Sequence, residues 1–232
     1  MIVRDIMTTK LITVEPDDTL AHAATLLRQR QFHHLPVTRK VYKAGAVQHL
    51  FEGLLSSVDI DLVSALANQN DDPTAIPWQE RHVVEIMHRA IIRVTPTSSV
   101  PSAARILVER GLNYLPVVEY ELLENENRVI LVGLLTRSDL LIALARAMGA
   151  FEPGMQLDIV LAPGEIAPLA RALLLAAELH VHITSVMASP LPDGTLPVAS
   201  LHLGTINPMP LLLRLQEEGI HYSFGNSLLE EN

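Results

Sequence analysis

Two short segments carry the residue types that can do chemistry. Gly53-Leu54-Leu55-Ser56-Ser57-Val58-Asp59 and Gly133-Leu134-Leu135-Thr136-Arg137-Ser138-Asp139 each set a hydroxyl three residues before a carboxylate, at the head of an apolar run. Alone, Ser56-x-x-Asp59 or Thr136-x-x-Asp139 reads as a helix N-cap, in which hydroxyl and carboxylate satisfy the first free N–H groups. Such four-residue patterns are common. The surrounding residues add a second reading. A strand ending in glycine, followed by a hydroxyl and a carboxylate at a helix start, places acceptors beside N–H groups that attract phosphate. The aspartate can hold two ribose hydroxyls while the helix end takes the phosphate, and Arg137, next to Thr136, can clamp it. Neither segment pairs a nucleophile with a base, so the chemistry on offer is binding rather than catalysis.

The elements that must position these residues come in two copies. The offset of 80 residues that carries Gly53 onto Gly133 also aligns Ile6-Met7 with Ile86-Met87, Pro16 with Pro96, Ala23-Ala24 with Ala103-Ala104, and Leu35-Pro36-Val37 with Leu115-Pro116-Val117, without a gap. This is a tandem repeat. In the first copy, Leu11 to Val14 reads as a short strand closed by Glu15-Pro16-Asp17-Asp18. Thr19 then caps a helix whose Leu20, Ala23, Ala24 and Leu27 form one apolar stripe, matched by Ser99, Val100, Ala103, Ala104 and Leu107. A strand through Leu35-Pro36-Val37, with proline suited to an edge, is followed by a strand ending at Gly53-Leu54-Leu55 and a helix from about Ser57. Each repeat therefore reads β-α-β-β-α. Residues 67–81, with two prolines and the single tryptophan, Trp78, form the connection, and Trp78 is expected to pack it onto the body.

Composition narrows the partners. The chain has 232 residues, 49% of them apolar, which suits globular domains built mainly from aliphatic residues. A formal charge of −9 argues against nucleic acid and against an anionic membrane surface. There is no cysteine, so disulfides, thiolate catalysis and thiolate metal sites are excluded. No signal-like start or spanning stretch is evident, and a soluble, cytoplasmic protein is expected.

With Ile-Met, Leu-Pro-Val and Gly-x-x-(Ser/Thr)-x-x-Asp in register, the two copies resemble a tandem cystathionine-β-synthase (CBS) domain pair over residues 1 to about 148. The resemblance implies two repeats packed through their sheets about a pseudo-twofold axis. It also implies two clefts for an adenosine-containing ligand: AMP, ADP, ATP or S-adenosylmethionine. Each cleft would mix the repeats. Asp139, Thr136 and Arg137 would face Thr8, Lys10, Ile12 and His34, and Asp59 and Ser56 would face Ala90, Ile92 and Tyr114. The first cleft is expected to bind better, because Arg137 and Lys10 bring positive charge, with Arg89 or Arg93 available to compensate in the second.

After Asp139 a helix runs to Met148, and Gly149 with Pro153-Gly154 marks a boundary. The remaining segments read β-α-β-β-α-β, the order of a ferredoxin-like sandwich. Residues 155–225 resemble an ACT domain, with Pro163 and Gly164 in its loop. Leu161 stands where that family commonly has an acidic residue, which favours a dimerisation or relay role over amino-acid binding. A CBS pair followed by an ACT domain resembles the acetoin-utilisation regulatory proteins. His180 and His182 on one strand face, with His202 opposite, offer an alternative: a metal-binding protein or metal-dependent enzyme. A polar sheet face sharing Gln156, Asp158, Thr184 and Ser200 explains the same pattern. His33 is expected to be a surface residue.

The expected fold is thus α/β (α+β): CBS domains at 1–66 and 82–148 around a 67–81 connection, a 149–154 linker, an ACT-like domain at 155–225 and an acidic tail at 226–232. The expected function is non-catalytic sensing, with no required cofactor and no metal. The ligand state is relayed through the ACT-like domain or to a partner enzyme by a homodimer.

Overall fold

The computed structural model describes residues 1–43, 46–67, 76–89, 92–123, 126–162, 165–189, 198–205 and 207–224. Pro163, Gly164, Ala90, the 226–232 tail, most of the inter-repeat connection and the turn after Ser189 lie outside the described residues. The chain forms two compact units, Met1–Leu140 and a second beginning at Leu141.

In the first unit the repeat is visible element by element. Helix α1 (Leu20–Arg30) and hairpin β1 (His34–Lys43) and β2 (Ala46–Ser56) lead into α2 (Ser57–Ala67). Their counterparts are α3 (Val100–Glu109), β3 (Tyr114–Leu123), β4 (Glu126–Thr136) and α4 (Arg137–Ala147). Thr19 and Ser99 cap α1 and α3 as their spacing predicts, accepting from the backbone N–H of His22 and Ser102. The strand expected at Leu11–Val14 is reduced to one parallel bridge, Val14 to Val37, repeated as Val94 to Val117. The four long strands form one sheet, β1-β2-β4-β3, joined at its centre by Leu50 opposite Ile130. Pro36 and Pro116 therefore lie on the two edge strands, where a missing N–H costs little.

Each repeat has its own apolar core, and each borrows one residue from the other. Val83 is buried with Val14, Leu20, Ala23, Leu27, Leu35, Val37, Leu55 and Ile60 of the first repeat. Val3 is buried with Val94, Ala103, Leu107, Leu115, Val117 and Leu135 of the second. The exchange is fixed by backbone hydrogen bonds: the N–H groups of Val3 and Arg4 donate to the carbonyls of Ser98 and Pro96, and those of Val83 and Val84 to Asp18 and Pro16. Trp78 packs against the first core. A smaller cluster of Phe51, Leu54, Val118 and Leu131 joins the repeats.

Gly53 and Gly133 are needed for close approach. A Cβ on Gly53 would stand 2.5 Å from the backbone oxygen of His88, whereas one on Gly133 would meet the Met7 sulfur at 2.5 Å. Backbone pinned in a bridge yields less easily than the end of a methionine. Gly53→Ala is therefore expected to cost about 1–3 kcal/mol in chemical denaturation and Gly133→Ala less.

The second unit contains β5 (Met155–Val160), α5 (Ala167–Glu178), β6 (Ile183–Ser189), β7 (Val198–Leu203), α6 (Met209–Glu217) and β8 (Tyr222–Ser223). Its strands pair antiparallel in the order β6-β7-β5-β8. Alternation along β5 and β7 puts Leu157, Ile159, Ala199, Leu201 and Leu203 into one core with Ala172, Leu175, Leu211 and Leu215 of the helices. Among the described residues, no helix is long and apolar enough to cross a membrane.

Candidate functional site

The two capping motifs stand at the mouths of two clefts in the first unit. At Thr136 and Asp139 the cap is reciprocal. The Thr136 N–H and Oγ1 each donate to Asp139 Oδ2 at 2.8 Å, and the Asp139 N–H donates back to Thr136 Oγ1 at 3.1 Å. The other carboxylate oxygen, Oδ1, points across to the first repeat, where Thr8 Oγ1 donates to it at 3.3 Å. Ser56 and Asp59 repeat the arrangement: the Ser56 N–H and Oγ donate to Asp59 Oδ2 at 2.9 and 2.6 Å, and Oδ1 meets His88 Nε2 at 2.9 Å. In both copies one oxygen serves the aspartate's own helix and the other reaches the opposite repeat.

The first cleft has a volume of about 490 Å³ and brings together Thr8, Lys10, Ile12, His34, Thr136 and Arg137; Asp139 does not itself line it but is joined to it through the Thr8 hydroxyl. That volume lies within the roughly 300–1,000 Å³ typical of small-molecule sites. Arg137 is less free than its sequence position suggests. Its Nε donates to the Leu112 carbonyl at 2.8 Å and an Nη to that of Leu107 at 3.4 Å, so it is spent partly on the end of α3. Among the described residues no carboxylate pairs with Lys10. Phe32, Asn113 and His33 also line this cleft. His33 is exposed, as expected of a surface residue, and stands at the edge of this cleft.

The second cleft, about 410 Å³, is lined by Ser56, Asp59, Ile92 and Tyr114, together with Leu54, His88 and Arg89. Arg89 reaches towards Glu52 at 3.8 Å, while Arg93 lies over the Tyr120 ring, so of the two arginines Arg89 is the one lining the cleft. Tyr114 and His34 line both clefts. They are equivalent residues of the two repeats, and their ring centroids are 3.9 Å apart, as a pair lying on a pseudo-dyad requires.

Electrostatics follow this burial. Desolvation pushes the Asp59 carboxyl up, but hydrogen bonds from Ser56 and His88 outweigh it and hold the group below its ordinary value. Burial, helped by His33 and opposed by Asp59, lowers the His34 imidazole. Burial followed by the Asp59 charge raises the Tyr114 phenol.

The three-histidine site does not assemble. α5 ends in a left-handed residue, and His180 fills that place at φ 55°, before β6 begins. His182 pairs with Gly204, its carbonyl accepting from the Gly204 N–H, and His202 lies opposite Ser185, so His182 and His202 are not cross-strand partners. His202 Nδ1 bonds the Thr184 hydroxyl at 2.6 Å. Among the described residues, no group of three metal-ligating side chains is placed to hold an ion. Gln156 and Ser200 do share a face with Asp158, each donating to its Oδ1, at 3.0 and 2.6 Å.

Residues 3–45 and 83–146 match the CBS-domain family model. Modules of this family are regulatory and non-catalytic. The chain is 27% identical over 117 residues to the CBS domain-containing protein YhcV of Bacillus subtilis, covering 50% of this chain and 72% of that protein. It is similar to the structure of a Vibrio cholerae protein described under acetoin utilization (AcuB), with 22% identity, a TM-score of 0.49, and coverage of 65% of this chain and 96% of that one. It is also similar to that of CBSX2 in complex with AMP, with 23% identity, a TM-score of 0.45, and coverage of 62% and 95%.

Proposed function

We propose that this protein is a regulatory module that senses an adenosine-containing ligand, AMP, ADP, ATP or S-adenosylmethionine, in the clefts of its CBS pair. The observation that carries the reading is the division of labour within Asp139. Oδ2 holds the helix start, while Oδ1 stands beside a 490 Å³ cleft with Lys10 and Arg137 on its wall. A carboxylate oxygen accepts from a ribose diol, and the helix end and cations suit a phosphate. Asp139, Thr136, Arg137, Thr8, Lys10, Ile12 and His34 form the proposed first site. Asp59, Ser56, Ile92 and Tyr114 form the second, with Ala90 carried over from the resemblance.

The second unit is read as a ferredoxin-like, ACT-like relay, supported by its β-α-β-β-α-β order and its antiparallel β6-β7-β5-β8 sheet. The exposed apolar side chains of α2, Val58, Leu62 and Leu66, and of α4, Leu141, Ile142 and Leu144, support a homodimer. A partner enzyme, a cytoplasmic setting and a role in acetoin or other carbon metabolism belong to the same reading, the last by likeness of arrangement. Differential affinity of the ligand for two packings of the repeats would supply the signal.

Calorimetric titration of the full chain with AMP, ATP and S-adenosylmethionine tests it. At least one should bind saturably, and at about 100 times its Kd should stabilise the fold by about 2.7 kcal/mol, seen as a raised melting temperature. No heat and no shift with any of the three would end the proposal.

A further inference from the structure

The two clefts are built on equivalent backbones but differ at one side chain that touches the ribose-binding acid. Thr8 and His88 occupy the same place in the repeat. Each exchanges two backbone hydrogen bonds with the opposite strand, Thr8 with Leu134 and His88 with Leu54. In the first cleft Asp139 Oδ1 receives, among the described residues, only the Thr8 hydroxyl, at 3.3 Å. In the second, the same oxygen of Asp59 is held by an imidazole at 2.9 Å. The His88 ring is itself 73% exposed, and it lies at the cleft rim against a carboxylate that is 18% exposed.

We propose that His88 is the selectivity-determining residue of the second cleft, a proton-dependent competitor for the carboxylate oxygen that a ribose needs. This rests on reading the clefts as adenosine sites. The charged and titratable groups facing His88 are Asp59 on α2, His34 on β1, Tyr114 on β3 and neighbouring Arg89, itself directed towards Glu52 on β2. Asp59 is the one anion within hydrogen-bond reach of the ring among the described residues. Its hydrogen bonds hold its carboxyl below its ordinary value. A protonated His88 makes a charge-assisted bond to Asp59, which is stronger than the neutral one. An uncharged sugar must displace it, so ribose binding in the second cleft is weaker when His88 carries a proton. Among the described residues, the first cleft has no such competitor on Asp139.

The test uses adenosine, because a phosphate would itself be drawn to a protonated imidazole. Full-length protein carrying Asp139→Asn, which silences the first cleft, is titrated at about pH 7.5 and about pH 5.5. Adenosine affinity should fall about tenfold at the lower pH. Adding His88→Thr, the residue type of the first cleft, should tighten binding and flatten the profile. The side chain is exposed and the bridge is made by backbone, so this variant keeps the fold. A pH dependence that survives His88→Thr, or no gain in affinity, overturns the assignment of His88 alone. If wild-type protein binds AMP but no adenosine at either pH, this inference falls and the reading of the clefts stands; if it binds neither, both fall.

Discussion

Asp139→Asn is expected to weaken the adenosine-type ligand by about 10- to 100-fold at the first cleft while leaving the melting temperature close to that of wild type. The two halves of this result come from the two oxygens of one carboxylate. Oδ2 accepts from the Thr136 N–H and hydroxyl, and an asparagine carbonyl can take both bonds. At the Oδ1 position the amide presents N–H groups, which cannot accept from ribose hydroxyls. Hydrogen bonds to a charged group contribute about 1.5–3 kcal/mol each, and every 1.4 kcal/mol is tenfold in affinity. Asp139→Ala should lose the ligand too, but also the cap, at about 0.5–2 kcal/mol of stability. Calorimetry and thermal denaturation of the pair therefore separate binding from capping. If Asp139→Asn binds as tightly as wild type, the carboxylate serves its helix only.

How much of this was legible in the sequence depends on which interactions are local. The caps at Thr19, Ser99, Ser56 and Thr136 are made within four residues, so their spacing alone identifies them. The pairing of Thr136 and Arg137 with Thr8 and Lys10 in one cleft crosses more than a hundred residues. It was reachable only through the resemblance to a CBS pair, not from periodicity. Arg137 looks like a free cation on paper because the carbonyls it serves, Leu107 and Leu112, are set by where α3 happens to end. The histidine cluster on the last sheet looked plausible because alternation assumes an unbroken strand. The register, which pairs His182 with Gly204 and sets His202 opposite Ser185, is fixed by long-range pairing that no local pattern encodes. His88 was visible as a residue, yet its meeting with Asp59 depends on the exchange of segments between repeats, which no local pattern encodes.

That exchange makes the second large prediction. The repeat aligns Val3 with Val83. The structure crosses them, with Val3 buried among Val94, Leu107, Leu115 and Val117, and Val83 among Leu20, Leu27, Leu35 and Val37. Both valines are fully buried. Val3→Asp puts a carboxylate into an apolar core without a partner, at about 3–5 kcal/mol, a large share of a typical domain's stability. The damage should appear in the distant repeat: amide exchange accelerates at Leu107, Leu115 and Val117 before it does at Leu27 and Leu35. Val83→Asp should give the mirror image, loosening the first repeat. If Val3→Asp fails to fold, Val3→Ala, at about 2 kcal/mol, gives the same spatial readout. Acceleration centred on Leu27 and Leu35 would mean that each segment stays with its own repeat. The consequence would reach the ligand sites, because the segment that carries Val3 into the second core also carries Thr8 to Asp139, and the one that carries Val83 brings His88 to Asp59. Uncrossed segments would separate both pairs, so the clefts exist only because each repeat lends its leading segment to the other.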